Sequence, residues 1–345
     1  MLKPIKLINI NVWFGMDGQG WWKIGDYENR QRKDARFRGL VSGLKGLDPD
    51  VIAIQEANRL PAYARKISRA LGYDAVWRVQ NSGIKVLGFG IPFNFTAGCV
   101  ILAKKNHHLK YLTSHRLSGR GVVSNYFSLH FKEMRNAMVS LVEIAGRPIL
   151  IFNTQTHFSL IWEPKWEKAV DDLLAGGRIT DRQHKMMKKS LIDSLNRTEQ
   201  DIVNMLGFIK QMANKYDYPY VVAGDFNTTL QSAALQRMIN ELGLLDPFQT
   251  LNPEASGYTW DPRRNTNTAF DGSKFRADGK TQRDPQHRLT AEFDASAPRR
   301  IDFIFLSQHF NKDMIQRANL VFTAPIDNLY VSDHFGIEVV LKELP

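Results

Sequence analysis

The 345-residue sequence holds a single cysteine, Cys99, so no internal disulfide can staple it. That cysteine lies within the apolar run Thr96 to Leu102, where nothing lowers a thiol pKa, and it reads as a core residue. The absence of disulfides is compatible with a reducing compartment. There is also no stretch of about 18 or more apolar residues, the length a membrane-crossing helix requires. Met1 to Leu7 carries two lysines, but no long apolar segment follows before Asn9, so the chain as it stands shows no secretory signal. A cytoplasmic protein is therefore expected, or a secreted one if a leader has been removed. Acidic residues are in deficit, 35 against 46 Lys and Arg, for a net charge of +11. That excess suits an anionic partner: nucleic acid, an acidic lipid surface or a phosphorylated small molecule. Solubility alone would also account for it.

What is present is enough apolar residue, 43%, for a sizeable core. The length fits either two average domains or one large sandwich enzyme. No compositional seam and no repeat divides the chain, so residues 1–345 are read as one domain. Two stretches look like insertions, Phe158 to Ser190 and the basic Arg263 to Arg300. Each is read as a lid or binding loop, or else as a disordered surface loop. Strands are predicted over Lys6–Val12, Val51–Ile54, Val76–Val79, Ala97–Ala103, Ala137–Ile144, Pro148–Asn153, Tyr220–Ala223, Arg300–Leu306 and Ile337–Leu341. Ala145-Gly146-Arg147 signals a hairpin. Helices are predicted over Arg30–Leu47, Pro61–Leu71, Leu191–Met212 and Ser232–Leu242, giving an interleaved α/β order.

Polar islands punctuate these apolar runs: Asn9-Ile10-Asn11, Gln55-Glu56, Asn153 to His157, Gly224 to Asn227, Arg300 to Asp302, and Ser332-Asp333-His334. Each is expected at the C-terminal end of a strand, where a sheet can gather side chains in one cleft. Carboxylates and amides with two histidines and no cysteine suit a hard divalent cation and a phosphate ester. Asn9 and Asn11 alternate with apolar residues and so share one strand face, needing a metal, a phosphate oxygen or backbone as partner. Glu56 is a candidate metal ligand, or alternatively an acid at the start of the next helix. Asp225 is a candidate base for water and Asn227 a candidate phosphate or transition-state donor on the same side of an extended segment. The alternative is an Asx-turn. Asp302, an acid in an apolar strand, needs a partner, and His334 needs a group to fix its tautomer, so the two are expected to pair.

The order and spacing of these islands resemble the endonuclease/exonuclease/phosphatase superfamily from Lys6 to Leu341. The segment Asn9 to Gly15 looks like its first Asn-bearing strand, Gln55-Glu56 its metal-ligand motif, and Thr96 to Lys104 the segment that follows. Asn153 to His157 is similar to an Asn-Thr-His motif with two residues added, and Arg197 with Gln200 to an Arg-x-x-Gln pair. Gly224 to Asn227, Arg300 to Asp302 and Ser332 to His334 match the last three motifs. The resemblance implies a four-layer α/β sandwich of two packed, mostly antiparallel sheets flanked by helices. It also implies Mg²⁺-dependent hydrolysis of a phosphate ester, with Mn²⁺ able to substitute. In that reading Asn9, Asn11, Glu56 and Asp333 hold metal. Asp225 orients or deprotonates water, and Asn227 binds phosphate. His334, oriented by Asp302, and His157 act on the phosphate or leaving group, while Asn153 and Arg197 bind substrate. Asn9 to Trp13 and Gly257 to Pro262 look more like the neutral sphingomyelinase-like branch than the abasic-site nucleases. That lean points to a phospholipid headgroup, with the apolar loop Val86 to Phe95, notably Phe89 and Phe93, a candidate for contact with lipid. A nuclease, a nucleotide or inositol phosphomonoesterase, and a catalytically silent binding module of the same fold are the other readings.

Overall fold

The computed structural model describes residues 3–15, 28–86, 89–91, 96–124, 127–130, 133–159, 164–270 and 298–345. In chain order the elements begin with β1 (Ile5–Asn11), α1 (Arg30–Leu47), β2 (Val51–Asn58), α2 (Ala62–Leu71), β3 (Tyr73–Asn81), β4 (Ile84–Val86) and β5 (Phe89–Ile91). There follow β6 (Ala97–Lys104), β7 (Lys110–Ser118), β8 (Val122–Val123), β9 (Ser128–Leu129), β10 (Arg135–Ile144) and β11 (Arg147–Gln155). The C-terminal part holds α3 (Pro164–Ala175), α4 (Asp181–Tyr216), β12 (Tyr220–Asp225), α5 (Ala233–Leu242), α6 (Pro247–Leu251), β13 (Asp302–Leu306), β14 (Ile315–Val321) and β15 (Gly336–Leu341).

Two large sheets pack face to face, a six-stranded one ordered β14-β15-β1-β2-β6-β3 and a five-stranded one ordered β13-β12-β11-β10-β7. Within each, the single parallel pair is the one whose connection contains long helix: β1 with β2 through α1, and β11 with β12 through α3 and α4. The remaining pairs are antiparallel. A small sheet, β5-β4-β9-β8, stands apart. Helices α1 and α2 cover the outer face of the first sheet, and α4 and α5 that of the second. The four-layer α/β sandwich expected from the sequence is what the chain forms.

The side-chain period of two explains where the site falls. On β1, Ile5 and Leu7 enter the core between the sheets while Ile8 and Ile10 face α1. The inward set then continues as Asn9 and Asn11. The same change from apolar to polar occurs on β2 (Val51, Ala53, then Gln55), β11 (Ile149, Ile151, then Asn153 and Gln155) and β12 (Val221, Ala223, then Asp225). The expectation that every island sits at a strand's C-terminal end is corrected in two places. Asp302 opens β13 and His334 precedes β15. Both strands run antiparallel to their neighbours β12 and β1, so their starts meet the others' ends.

Several predicted elements change in extent. Phe158 to Ser190 is largely helical, because α4 begins at a capping box formed by Thr180 and Gln183 and runs on to Asp217 in a left-handed cap. Cys99 is buried in the inter-sheet core, and burial pushes its thiol pKa up. The hairpin turn at Ala145-Gly146 has both residues at positive φ, 51° and 77°, as a tight two-residue turn demands. Phe93, the side chain of Phe89 and most of Arg263 to Arg300 lie outside the described residues.

Candidate active site

The lowest layer of the rim is a buried amide network that ties the two sheets together. Asn9 donates to the Gly224 carbonyl at 3.0 Å, and Gln55 Nε2 donates to both Asn9 Oδ1 and Asn153 Oδ1 at 2.7 Å. Asn153 in turn donates across to the Ile54 and Val100 carbonyls at 3.0 and 2.8 Å. All three amides are fully buried at the point where the apolar core ends, and Gln55 Oε1 finds no hydrogen-bond partner among the described residues. Gly224 permits this closeness: a Cβ there would lie 2.5 Å from the Thr154 carbonyl oxygen.

Above it sits the carboxylate layer. β2 shifts register between Ile54 and Ala57, and Glu56 there adopts φ 58°. In a regular strand Gln55 and Glu56 would point to opposite faces. The bulge lets both face the second sheet. Gln55 reaches Asn153, while Glu56 Oε1 accepts from Gln155 at 2.7 Å and Oε2 from the Phe14 amide at 3.1 Å. Glu56 is thus turned toward the cleft, and the reading of it as an acid at the start of α2 does not apply. Asp225 is buried alongside. Its Oδ2 accepts from Asn11 (3.0 Å), Gln155 (3.2 Å) and Asn227 (3.3 Å), and its Oδ1 from the Asn227 amide (3.0 Å). That last bond is an Asx-turn, and Asn227 takes φ 47° rather than extending the strand. Its side chain still returns to Asp225, so turn and site are one feature. Burial, then the charges of Asp302 and Glu56, push the Asp225 carboxyl up to about 6 against the opposing pull of His334.

Two histidines complete the rim, each held by a carboxylate. His334 Nδ1 lies 2.8 Å from Asp302 Oδ2, both side chains buried. Burial disfavours the imidazolium, but the Asp302 charge and hydrogen bond, with Asp333 and Asp225, outweigh it and raise the pKa well above 6.5. These carboxylates favour the imidazolium form of His334, and Trp260 packs edge-on against the ring at 5.2 Å. His157 Nδ1 lies 2.6 Å from Glu133 Oε2, and its backbone amide donates to Asp201 at 2.8 Å. Burial opposes ionisation of Glu133, but Arg135, His157 and Arg197 overcome it and hold its carboxyl at about 2. Arg135 also donates to Gln155 Oε1 at 2.7 Å, which fixes that amide with its NH₂ group toward Glu56 and Asp225.

These groups open on a cleft of about 240 Å³ lined by Glu56, Glu133, Gln155, Asp225, Asn227, Asp333 and His334, with Arg135 and Arg299 as cations and Trp13, Phe14, Phe158 and Trp260 as apolar wall. The residues fit a divalent cation. Their donors are carboxylate and amide oxygens and imidazole nitrogen, without sulfur, and Asp225, Asp302 and His334 offer ligand atoms within 4.8 Å of one another. Asp302 Oδ1, fully buried, finds no hydrogen-bond partner among the described residues.

Of the residues singled out from the sequence, Glu56, Asp225, Asn227, Asp333 and His334 line the cleft. Asn11 and Asp302 stand directly behind, bonded to Asp225 and His334. Asn9 and Asn153 lie one layer deeper with their amides engaged by protein. His157 is at the edge behind Glu133, and Arg197 is an exposed residue of α4 that does not line the cleft. Sequence reasoning passed over Glu133, Arg135, Gln155, Phe158 and Trp260 as site residues, whereas Arg299 belongs to the basic stretch read as a lid or binding loop. Glu133 and Arg135 stand at the start of β10, where an expectation tied to strand ends does not look. Gln155 was within a noted motif, and its inward parity with Asn153 was the available signal.

Fold and rim together define an α/β-sandwich hydrolase of phosphoric esters. A family model described as the endonuclease/exonuclease/phosphatase family matches residues 8–334, and the chain belongs to that family. Divalent-metal dependence is general for the family. No curated protein sequence matches the chain. Among solved structures it is similar to D. rerio TDP2 complexed with a single-strand DNA product, at 18% identity over 99% of both chains with a TM-score of 0.56. It is also similar to the human nocturnin catalytic domain with bound sulfate, at 15% identity over 98% of this chain and 93% of that one, TM-score 0.55. A Bacteroides thetaiotaomicron mannosyl-6-phosphatase gives 14% identity, coverage of 98% and 99%, and a TM-score of 0.55. At these identities the likeness is one of fold. No helix among the described residues is long and apolar enough to cross a membrane.

Proposed function

We propose that the protein hydrolyses a phosphodiester, with Mg²⁺ as the metal and Mn²⁺ able to replace it. The observation that carries this is the buried Asp225 carboxylate, set among Glu56, Asn11 and Gln155 with a ligand atom within 4.8 Å of one on His334. Glu56 and Asp333 would hold the ion, with Asn11 and, from the layer beneath, Asn9 keeping the carboxylates in place. When bound, the ion supplies Lewis acidity toward a phosphoryl oxygen and lowers the pKa of water. Asp225 orients the attacking water and takes its proton, a task for which a carboxyl raised toward neutrality is suited. Asn227 and Arg299 bind non-bridging oxygens. His334, locked by Asp302 with Nδ1 engaged, presents Nε2 to the charge that develops on the phosphoryl group. His157, held by Glu133, is available for the leaving group. The apolar walls Phe14, Phe158 and Trp260 give both ester substituents of a diester a surface to lie on.

A second reading, a phospholipid headgroup met at a membrane surface, is favoured by the small sheet. Ile84 and Val122 both pair with Leu129, and these three residues, with Val86 and Phe127, are exposed. The deciding experiment is a panel of bis(p-nitrophenyl) phosphate, p-nitrophenyl phosphate, sphingomyelin vesicles and plasmid DNA, each with Mg²⁺ and with chelator. Turnover of the diesters at least about tenfold above the monoester supports the proposal. Preference for the monoester contradicts it, and preference for sphingomyelin over DNA selects the lipid reading.

A further inference from the structure

The segment that carries His334 has no strand of its own to shape it. Residues 322–335, between β14 and β15, lie outside any strand. Side chains from distant parts of the sequence hold its last part instead, one backbone carbonyl after another. Asn267 donates to the Tyr330 carbonyl at 2.9 Å, and the buried Arg36 of α1 donates to the Val331 carbonyl at 2.7 Å. The Ser332 carbonyl accepts from two side-chain amides at once, Asn265 at 3.0 Å and Asn267 at 3.1 Å. A carbonyl oxygen has two lone pairs, so this one is saturated. Both asparagines are buried, and each is itself fixed. Asn265 Oδ1 accepts from the Asn267 backbone amide at 3.0 Å, and Asn267 Oδ1 from Arg32 at 2.5 Å. The Ser332 hydroxyl donates to the Asn11 carbonyl at 2.7 Å and accepts from the His334 amide at 3.2 Å.

The same stretch of chain also holds the partner of His334. Thr259 Oγ1 accepts from the amides of Ile301 and Asp302 at 3.1 and 3.2 Å, and the Thr259 carbonyl accepts from the Phe335 amide at 2.7 Å. The interval from Thr259 to Asn267 therefore grips both ends of the Asp302–His334 hydrogen bond. Neither asparagine lines the cleft. We propose that Asn265 and Asn267 are positioning residues for His334. By saturating the Ser332 carbonyl they fix the Ser332–Asp333 peptide, one residue ahead of the imidazole, and with it the direction of the ring toward the cleft. Misplacing a reacting group by about 1 Å costs on the order of 10² in rate, so such a clamp acts on kcat. The assignment rests on the reading of His334 as part of the site and is independent of which ester is cleaved.

The test follows both turnover and the imidazole itself in the full chain. Asn265→Ala, Asn267→Ala, His334→Ala and the double variant Asn267→Ala/His334→Ala are compared with wild type on bis(p-nitrophenyl) phosphate and p-nitrophenyl phosphate with Mg²⁺. Each asparagine variant should lower kcat on the order of tenfold or more, with KM within about twofold, on whichever ester turns over faster. In the His334→Ala background, Asn267→Ala should add less than about a twofold loss, because the group it positions is gone. If the alanine variants fold poorly, Asn265→Asp keeps the shape and the Oδ1 acceptor, replaces only the donor to Ser332, and should lower kcat likewise. Wild-type kcat in the asparagine variants, or an equal loss with and without His334, would overturn the proposal. The second readout needs no catalysis. In chelator, the His334 Nδ1 proton shared with Asp302 should give a downfield NMR resonance that His334→Ala removes and that Asn265→Asp and Asn267→Ala shift or broaden. If His334→Ala changes nothing, or neither ester is turned over, the reading of the site is at fault and this resonance alone decides. Moved in the asparagine variants, it supports the clamp; unmoved, it overturns it.

Discussion

Asp225 carries a conflict that a structural residue would not. It is buried, and it lies near Asp302 and Glu56, yet three side-chain N–H groups converge on its Oδ2. Replacing it with Asn turns an NH₂ toward those donors and removes the proton acceptor. Asp225→Asn should lower kcat on the order of 10² or more, as should His334→Ala. Because Asp302 fixes which nitrogen of His334 faces the cleft, Asp302→Asn should match His334→Ala. A harmless Asp302→Asn in the same steady-state assay would refute the positioning role. The Asp302–His334 pair was legible in the sequence because a buried charge inside an apolar strand requires a partner. The Glu133–His157 pair was not, because Glu133 stands outside any apolar run and stays exposed, so nothing in its local pattern demands a partner.

At the level of elements, the site depends on places where regular strands are broken or brought unusually close. The bulge at Gln55-Glu56 turns consecutive side chains to one face, and β12 approaches β11 at a glycine. Gly224→Ala would place a methyl 2.5 Å from the Thr154 carbonyl, so the pair must separate and the Asn9 to Gly224 bond lengthen. A loss of about 1–3 kcal/mol in chemical denaturation is expected. Unchanged stability would mean that the two strands have slack. Elements with a buried stripe could be read from sequence: α1 spans Arg30–Leu47 as its spacing predicts. The strands β7 and β14 could not, because each lies at the edge of its sheet and buries few residues, so no alternation marks them. The start of α4 depends on the Thr180–Gln183 capping box rather than on apolar periodicity, and it falls in a charge-rich stretch.

For the whole molecule, the charges gathered at the rim link stability to pH and to metal. The folded pKa of Asp225, about 6, exceeds its ordinary 3.8, so the metal-free protein is favoured at low pH and loses stability as pH rises through about 6. His334 acts in the same sense, its contribution fading as pH climbs from 6.5 toward its raised value. Glu133 acts oppositely, its contribution being present above 4.5 and lost as pH falls toward about 2. In chelator, Tm should therefore decline between about pH 5 and pH 7.5, and Mg²⁺ should raise Tm more at pH 7.5 than at pH 5. Equal shifts at both values would show that the cation does not meet the Asp225 cluster. The family was legible across nearly the whole chain because its chemistry is concentrated in short islands at strand ends. The substrate was not, because the walls of the cleft, Phe14, Phe158 and Trp260 among them, come from distant segments that meet only in the folded chain. The most direct test is hydrolysis of bis(p-nitrophenyl) phosphate by wild type and Glu56→Gln with Mg²⁺, after exhaustive chelation and after Mg²⁺ is restored. Turnover that disappears with chelation, returns with Mg²⁺ and falls on the order of 10² or more in Glu56→Gln is the predicted result. Wild-type turnover that persists undiminished in chelator would contradict it.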